Sequence, residues 1–108
     1  MAQLSVQKIS LNGMTPAYNA AAVGGDSFIN NGRTFLSVRN SGASSMNVTI
    51  DSKALSNFGT DVNILVTIPA GVEKQIGSFE PTRFNDEVGI TTMTYSSITS
   101  VTVLLTSY

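Results

Sequence analysis

Val62-Asn63-Ile64-Leu65-Val66-Thr67-Ile68 is the stretch on which the fold turns. Successive side chains of a strand point to opposite faces, so Val62, Ile64, Val66 and Ile68 share one face while Asn63 and Thr67 share the other. One face seeks a core and the other tolerates water, the pattern of a half-buried antiparallel strand. Met46, Val48 and Ile50 repeat it against Asn47 and Thr49, and Val101, Val103 and Leu105 repeat it near the C-terminus. Thr34 to Val38, Val72 to Phe79, Val88 to Tyr95 and Ser5 to Leu11 are weaker strands, and a short one is expected near Asp26-Ser27-Phe28. Helical spacing is almost absent; only Ala17 to Val23 passes for a helical turn.

The separators carry turn chemistry. Asn12-Gly13, Gly24-Gly25, Asn31-Gly32, Asn40-Ser41-Gly42 and Ala70-Gly71 supply residues that reach positive φ at low cost. Pro69-Ala70-Gly71 stands between two strand patterns, which predicts that Ile68 and Val72 belong to one hairpin. Asp51 to Asp61 and Glu80 to Glu87 lack periodicity and read as long surface connections. Many short strands without βαβ alternation predict an all-β chain. The expected form is a single antiparallel β-sandwich, jelly-roll-like, or a small barrel, of about seven or eight strands.

The chain has 108 residues, which predicts one domain over 1–108. Charged residues make up 12% of it, about half the ~25% usual for soluble domains. With no Cys there is no disulfide framework, thiolate site or cysteine nucleophile; with no His the Ser-His and Cys-His arrangements are excluded and zinc, copper and haem lose their commonest ligand. The expectation is a protein without cofactor, metal, small-molecule substrate or catalysis. Six basic residues scattered from Lys8 to Arg83 against seven acidic ones form no patch for phosphates, so no nucleic-acid partner is expected. Met1-Ala2-Gln3-Leu4-Ser5 lacks a positive n-region and apolar run, and no stretch approaches the ~20 apolar residues of a span, which predicts no membrane partner and synthesis in the cytoplasm.

Among the carboxylates only Asp86-Glu87 are adjacent, and neighbours on a strand face apart, so no acid/base pair is predicted. Asn85-Asp86-Glu87 lacks the spaced ligands of a calcium loop and is read as a loop capping its own turn through side-chain hydrogen bonds. Gly24-Gly25 leads into a strand without the Lys-Ser or Lys-Thr of a phosphate loop. Phe28, Phe35, Phe79 and Phe84 lie beside turns, where they either plug the ends of the sandwich or anchor an interface; the core reading is favoured. Arg33 and Arg39 flank an apolar strand, as solvated strand ends or as an inter-subunit ion pair. Leu65 and Leu104 sit on the polar phase of strong strands and are expected on a surface that another chain covers.

Asp26-Ser27-Phe28-Ile29-Asn30-Asn31-Gly32-Arg33-Thr34-Phe35-Leu36, followed by Val38-Arg39-Asn40, resembles a segment recurring in small virion proteins of tailed bacteriophages. Ile68-Pro69-Ala70-Gly71, then Ile76-Gly77-Ser78-Phe79 and Arg83-Phe84-Asn85-Asp86, is similar to a later stretch of the same proteins, and Thr94-Tyr95-Ser96 with Val101-Thr102-Val103 to their ending. The sequence departs from the pattern at Glu80, where a second proline is common, and in the more polar Asp51 to Asp61 connection. The resemblance implies a head decoration protein that binds the major capsid protein on the capsid exterior and stabilises the assembled shell. Self-association is expected with it, since a trimer would suit a local threefold of the shell. The contacts it implies lie in the turns Gly24 to Arg33 and Glu80 to Glu87, through Phe28, Asn31, Arg33, Phe79, Arg83 and Phe84. A tail or head-to-tail component and a carbohydrate-binding sandwich are the competing readings.

Overall fold

The computed structural model describes residues 2–52, 63–77 and 79–107. Seven strands of four residues or more carry the fold: β4 (Asp26–Ile29), β5 (Thr34–Asn40), β6 (Met46–Ile50), β7 (Ile64–Ile68), β8 (Glu73–Gly77), β9 (Ile90–Tyr95) and β10 (Val101–Ser107). Three two-residue strands precede them, β1 (Ala2–Gln3), β2 (Gln7–Lys8) and β3 (Asn19–Ala20), and a single helical turn α1 (Pro81–Phe84) lies between β8 and β9. One sheet runs β1-β4-β9-β6-β7 and the other β2-β10-β5-β8, with β3 also on β10. The two pack as a β-sandwich, and no closed barrel forms among the described residues. The predicted Val62 and most of the Asp51 to Asp61 connection lie outside the described residues.

Alternation decides which face each strand buries. Phe28, Leu36, Val38, Val48, Ile50, Ile68, Met93, Val103 and Leu105 are all buried in one cluster between the sheets. In the first sheet the opposite phase, Ser27, Thr49, Leu65, Thr67, Thr92 and Thr94, faces outward. At about 1.5–3 kcal/mol per fully buried aliphatic or Phe side chain, this cluster is the main favourable term in folding.

The N-terminal segment closes one side of the sandwich. β1 pairs parallel with β4 in the first sheet, the chain crosses, and β2 pairs parallel with β10 in the second. Gln7 then fastens the next passage, its side chain donating to the Ala17 carbonyl and accepting from the Ala17 N–H at 2.7 and 3.1 Å. Residues 9–18 pass over the outer face of the second sheet, where Met14, Pro16 and Tyr18 line a cleft with Phe35 and Leu104. Leu104 is therefore buried by its own chain. The expectation of a covering partner is corrected there, whereas Leu65 remains 62% exposed. Arg39 stacks on the Tyr18 ring at 4.4 Å and pairs with Glu73 at 3.5 Å, so its ion pair is internal.

Three local expectations change. Ala17 to Val23 is not a helical turn: Asn19 and Ala20 pair with Val103 and Thr102, and the Ala21 N–H goes to the Val101 carbonyl. Alanine's helix propensity yields to a neighbouring strand that takes the backbone donors. Pro69-Ala70-Gly71 is not a hairpin turn but an arch, because β7 pairs with β6 in one sheet and β8 with β5 in the other. Buried Asn40 holds the crossing: its amide donates to the Ile68 carbonyl at 3.0 Å, while its backbone bonds Gly71 and Val72. Glu80 to Glu87, read as a plain connection, contains α1, with Pro81 in its first turn and Phe84 buried.

Candidate partner surface

Phe28 sits at the end of the apolar phase of β4 and is fully buried. Its ring meets Phe79 at 5.5 Å between centroids, and Phe79 meets Phe84 edge-on at 5.7 Å. Three of the six residues named as partner contacts are thus core, the plug reading of the sequence. Phe84 reaches the core because α1 turns it inward. Pro81 presets the first turn, and the Phe84 and Asn85 N–H groups bond the Glu80 and Pro81 carbonyls.

A polar clamp fastens this end. Asn30 is 4% exposed; its side-chain amide donates to the Phe79 carbonyl at 3.0 Å and to Asn85 Oδ1 at 2.8 Å, and its Oδ1 accepts from the Gly32 N–H. Asn85 replies by donating to the Asn30 carbonyl, and Thr91 donates to Asn85 Oδ1 at 2.9 Å. Asp86 Oδ1 accepts the N–H groups of Val88 and Ile90, so the Asn85-Asp86-Glu87 loop does cap its own turn. Gly32 lies against Pro81, where an added Cβ would stand 3.3 Å from the proline ring. Segments some fifty residues apart are in this way held as one unit.

The other three residues lie on the outside of that unit. Asn31 is exposed, yet its Oδ1 accepts from the Arg33 N–H and the Thr34 hydroxyl, and its amide donates to the Ser107 hydroxyl at 3.1 Å. It shapes the turn that presents Arg33, which is exposed. Arg83 is half-buried and lies over the Phe84 ring at 4.9 Å. The aromatic cluster is therefore the foundation, and Asn31, Arg33 and Arg83 are the faces it presents. Beside them a groove of about 510 Å³ runs between Leu4, Val6 and Lys8 on the N-terminal segment and Ile29, Asn31 and Ser107.

Sequence reading passed over Asp26. It shares the phase of Phe28, which was the available signal, and is fully buried. Its Oδ2 accepts from the Tyr95 hydroxyl at 2.6 Å and, at 3.3 Å, from the Ala22 N–H. Its Oδ1 is buried with no hydrogen-bond partner among the described residues. Burial, and then the Asp26 hydrogen bond and charge, hold the Tyr95 hydroxyl proton well beyond the ordinary range for tyrosine. Gly25 precedes it at φ +104°, where a Cβ would come 2.2 Å from the Met93 carbonyl oxygen.

Among the described residues no three Asp or Glu side chains converge as a metal site would require. A second groove, about 330 Å³ at the opposite end, is lined by Asn40, Ala43, Ser45, Met46, Ser97 and Thr99 among others, with no aromatic ring to stack a sugar. Comparison of the chain with protein-family models, with curated sequences and with solved structures finds no match.

Proposed function

We propose that this protein is a non-enzymatic structural component of a tailed-bacteriophage virion, a head decoration protein that binds the major capsid protein on the capsid exterior and stabilises the assembled shell. The observation that carries the reading is the clamp at one end of the sandwich. The two stretches that resemble phage virion proteins, around Asn30 and around Asn85, are fastened to each other by reciprocal side-chain hydrogen bonds. A cement protein needs a surface of fixed shape rather than reactive groups. Fixing a loop before binding lowers the ordering cost of association. Stabilisation then follows mass action, since a ligand of the closed shell alone raises the free energy of opening it, over every copy bound.

Immunogold labelling of particles purified from the lysate in which the protein is made tests the reading. Label on icosahedral heads supports it, label confined to tails transfers the protein to the tail or head-to-tail class, and unlabelled particles overturn it. Arg33→Ala and Arg83→Ala change side chains outside the aromatic core and are expected to weaken head binding about tenfold or more in folded protein, as loss of a contact residue worth about 1.4 kcal/mol does. Unchanged binding in the double variant would remove this end of the sandwich as the contact.

A further inference from the structure

The sandwich manages its sheet edges unequally. β1, β2 and β3 are two residues long, too short to template another strand. β8 is longer but displays Glu73 and Lys74, both exposed, and ends at Gly77. β7, Ile64-Leu65-Val66-Thr67-Ile68, has neither protection: five residues, no charge, no proline, and one strand neighbour, β6, among the described residues.

The hydrogen-bond phase of that edge follows from its neighbours. The Asp51 N–H bonds the Thr92 carbonyl and the Ser96 N–H bonds the Asn47 carbonyl. Odd-numbered residues of β6 therefore turn their backbone groups to β9, and even-numbered ones turn theirs to β7. Met46, Val48 and Ile50 stand opposite Ile68, Val66 and Ile64. The even residues of β7 are thus taken up by β6, which leaves the N–H and C=O groups of Leu65 and Thr67 pointing away from the sheet. Ile64 and Val66, although in the inward phase, stay half-buried at this edge of the sheet formed by the described residues.

We infer that the β7 edge is a self-association site, at which a second copy of this chain pairs its own β7 antiparallel about Val66. This register sets Leu65 opposite Thr67 of the second copy and Thr67 opposite its Leu65, so four backbone hydrogen bonds form from the groups that point outward. Val66 meets Val66 on the inner face beside Ile64, and Leu65 joins the outer face, whose neighbours on β6 are Asn47 and Thr49. No charge meets a like charge in this arrangement. At β8 the same operation would bring charged side chains into the seam. The five strands of each first sheet become one ten-stranded sheet. A two-fold pairing is isologous and closes at two copies, in contrast to the trimer that the capsid threefold suggests. An interface of one short strand is far below the ~1,200 Å² of stable complexes, so the association is weak and needs a concentrated solution to be seen.

Sedimentation equilibrium of the purified chain over ~10 to ~1,000 µM reads the site directly. The weight-average mass is expected to rise from 11.4 kDa and level at twice that value. Thr67→Pro removes a backbone donor that faces the open edge and no β6–β7 backbone bond, at the loss of the Thr67 hydroxyl's bond to Asn47 Oδ1, and Leu65→Lys puts two positive charges across the seam. Each is expected to raise the dissociation constant at least tenfold, with circular dichroism unchanged, while Lys74→Ala on β8 leaves it as it was. Leu65→Lys keeps the test open if the proline variant does not fold. A chain that stays at monomer mass throughout overturns the inference and leaves the edge to a strand of a different protein. So does a mass that climbs past two copies without levelling, or a dimer indifferent to both variants.

Discussion

Tyr95→Phe removes one oxygen atom and, by the geometry, most of what satisfies a buried carboxyl. Asp26 has two hydrogen-bond donors among the described residues, the Tyr95 hydroxyl at 2.6 Å and the Ala22 N–H at 3.3 Å, and the second is too long to substitute for the first. The phenylalanine ring fills nearly the same volume, so the cavity contribution is small. What remains is the cost of a buried acceptor left almost unpaired, about 2–3 kcal/mol. Against the ~5–15 kcal/mol that holds a domain together this is large, and it corresponds to a fall in Tm of about 10–15 °C. Urea unfolding at pH 7, with the m-value checked for constancy, measures it. Adding Asp26→Asn to Tyr95→Phe should restore part of the loss, because a neutral amide is cheaper to bury, giving a coupling of about 1 kcal/mol or more in the double-mutant cycle. A loss on Tyr95→Phe below ~0.5 kcal/mol, equal with and without Asp26→Asn, would refute the idea that Tyr95 satisfies Asp26.

The same pair predicts an alkaline limit. A hydroxyl whose proton is held more tightly in the folded state contributes stability that is complete below the unfolded value of about 10 and is lost as pH rises above it, by up to ~1.4 kcal/mol per pH unit. Chemical unfolding between pH 9 and 12 should show that slope, flattened in Tyr95→Phe. Gly25→Ala should cost about 3 kcal/mol or more by thermal unfolding, since its Cβ would meet the Met93 carbonyl oxygen, whereas Gly13→Ala, also at positive φ but with nothing within 4 Å, should cost only ~1 kcal/mol. Asn85→Ala breaks three side-chain hydrogen bonds of the clamp and should cost about 2–4 kcal/mol, with amide exchange at Phe84 and Gly89 accelerated more than in β10; uniform acceleration would show that the clamp is not a separate unit.

The sandwich was legible because its information is local. Met46-Asn47-Val48-Thr49-Ile50 can hide only one face, whatever it packs against, so the strand and its inward side follow from five residues. The arch at Pro69 was not, since the residues flanking it alternate equally well for a hairpin or a crossing. The choice is made by Asn40, nearly thirty residues away, which binds both sides of the turn. Leu104 misled for a related reason: its out-of-phase position correctly marked a covered surface, but what covers it is the passage containing Met14 and Pro16, too irregular to be read as a covering layer. Of the candidate partner surface, the exposed or half-exposed positions Arg33 and Arg83 were named from turn chemistry and resemblance. That Asn30, rather than Asn31, is the buried member of the asparagine pair follows from the Asp26 and Phe28 phase running one step past the end of β4, which the Asn-Gly turn signal obscured.

The way the N-terminal segment closes the sandwich has a consequence for how the protein is made. Gln7 pairs with Thr106 and Lys8 with Ser107, partners 99 positions apart in each case (106 − 7 and 107 − 8). β10 also forms the seven-residue ladder with β5, so the second sheet has no centre until Val101–Ser107 exist. At ~5–20 residues per second, a ribosome holds the earlier strands for several seconds before that strand emerges. In that interval β6 can pair with β7 in the first sheet and β5 with β8 in the second, but the second sheet cannot be completed. Distant pairings of this kind form slowly, and the apolar edge strand β7 waits alongside the unfinished core. Under the proposed β7 pairing, synthesis passes through a stage at which two nascent chains close together on one messenger can adhere through that strand. Lowering the translation rate is expected to lengthen that vulnerable stage rather than relieve it.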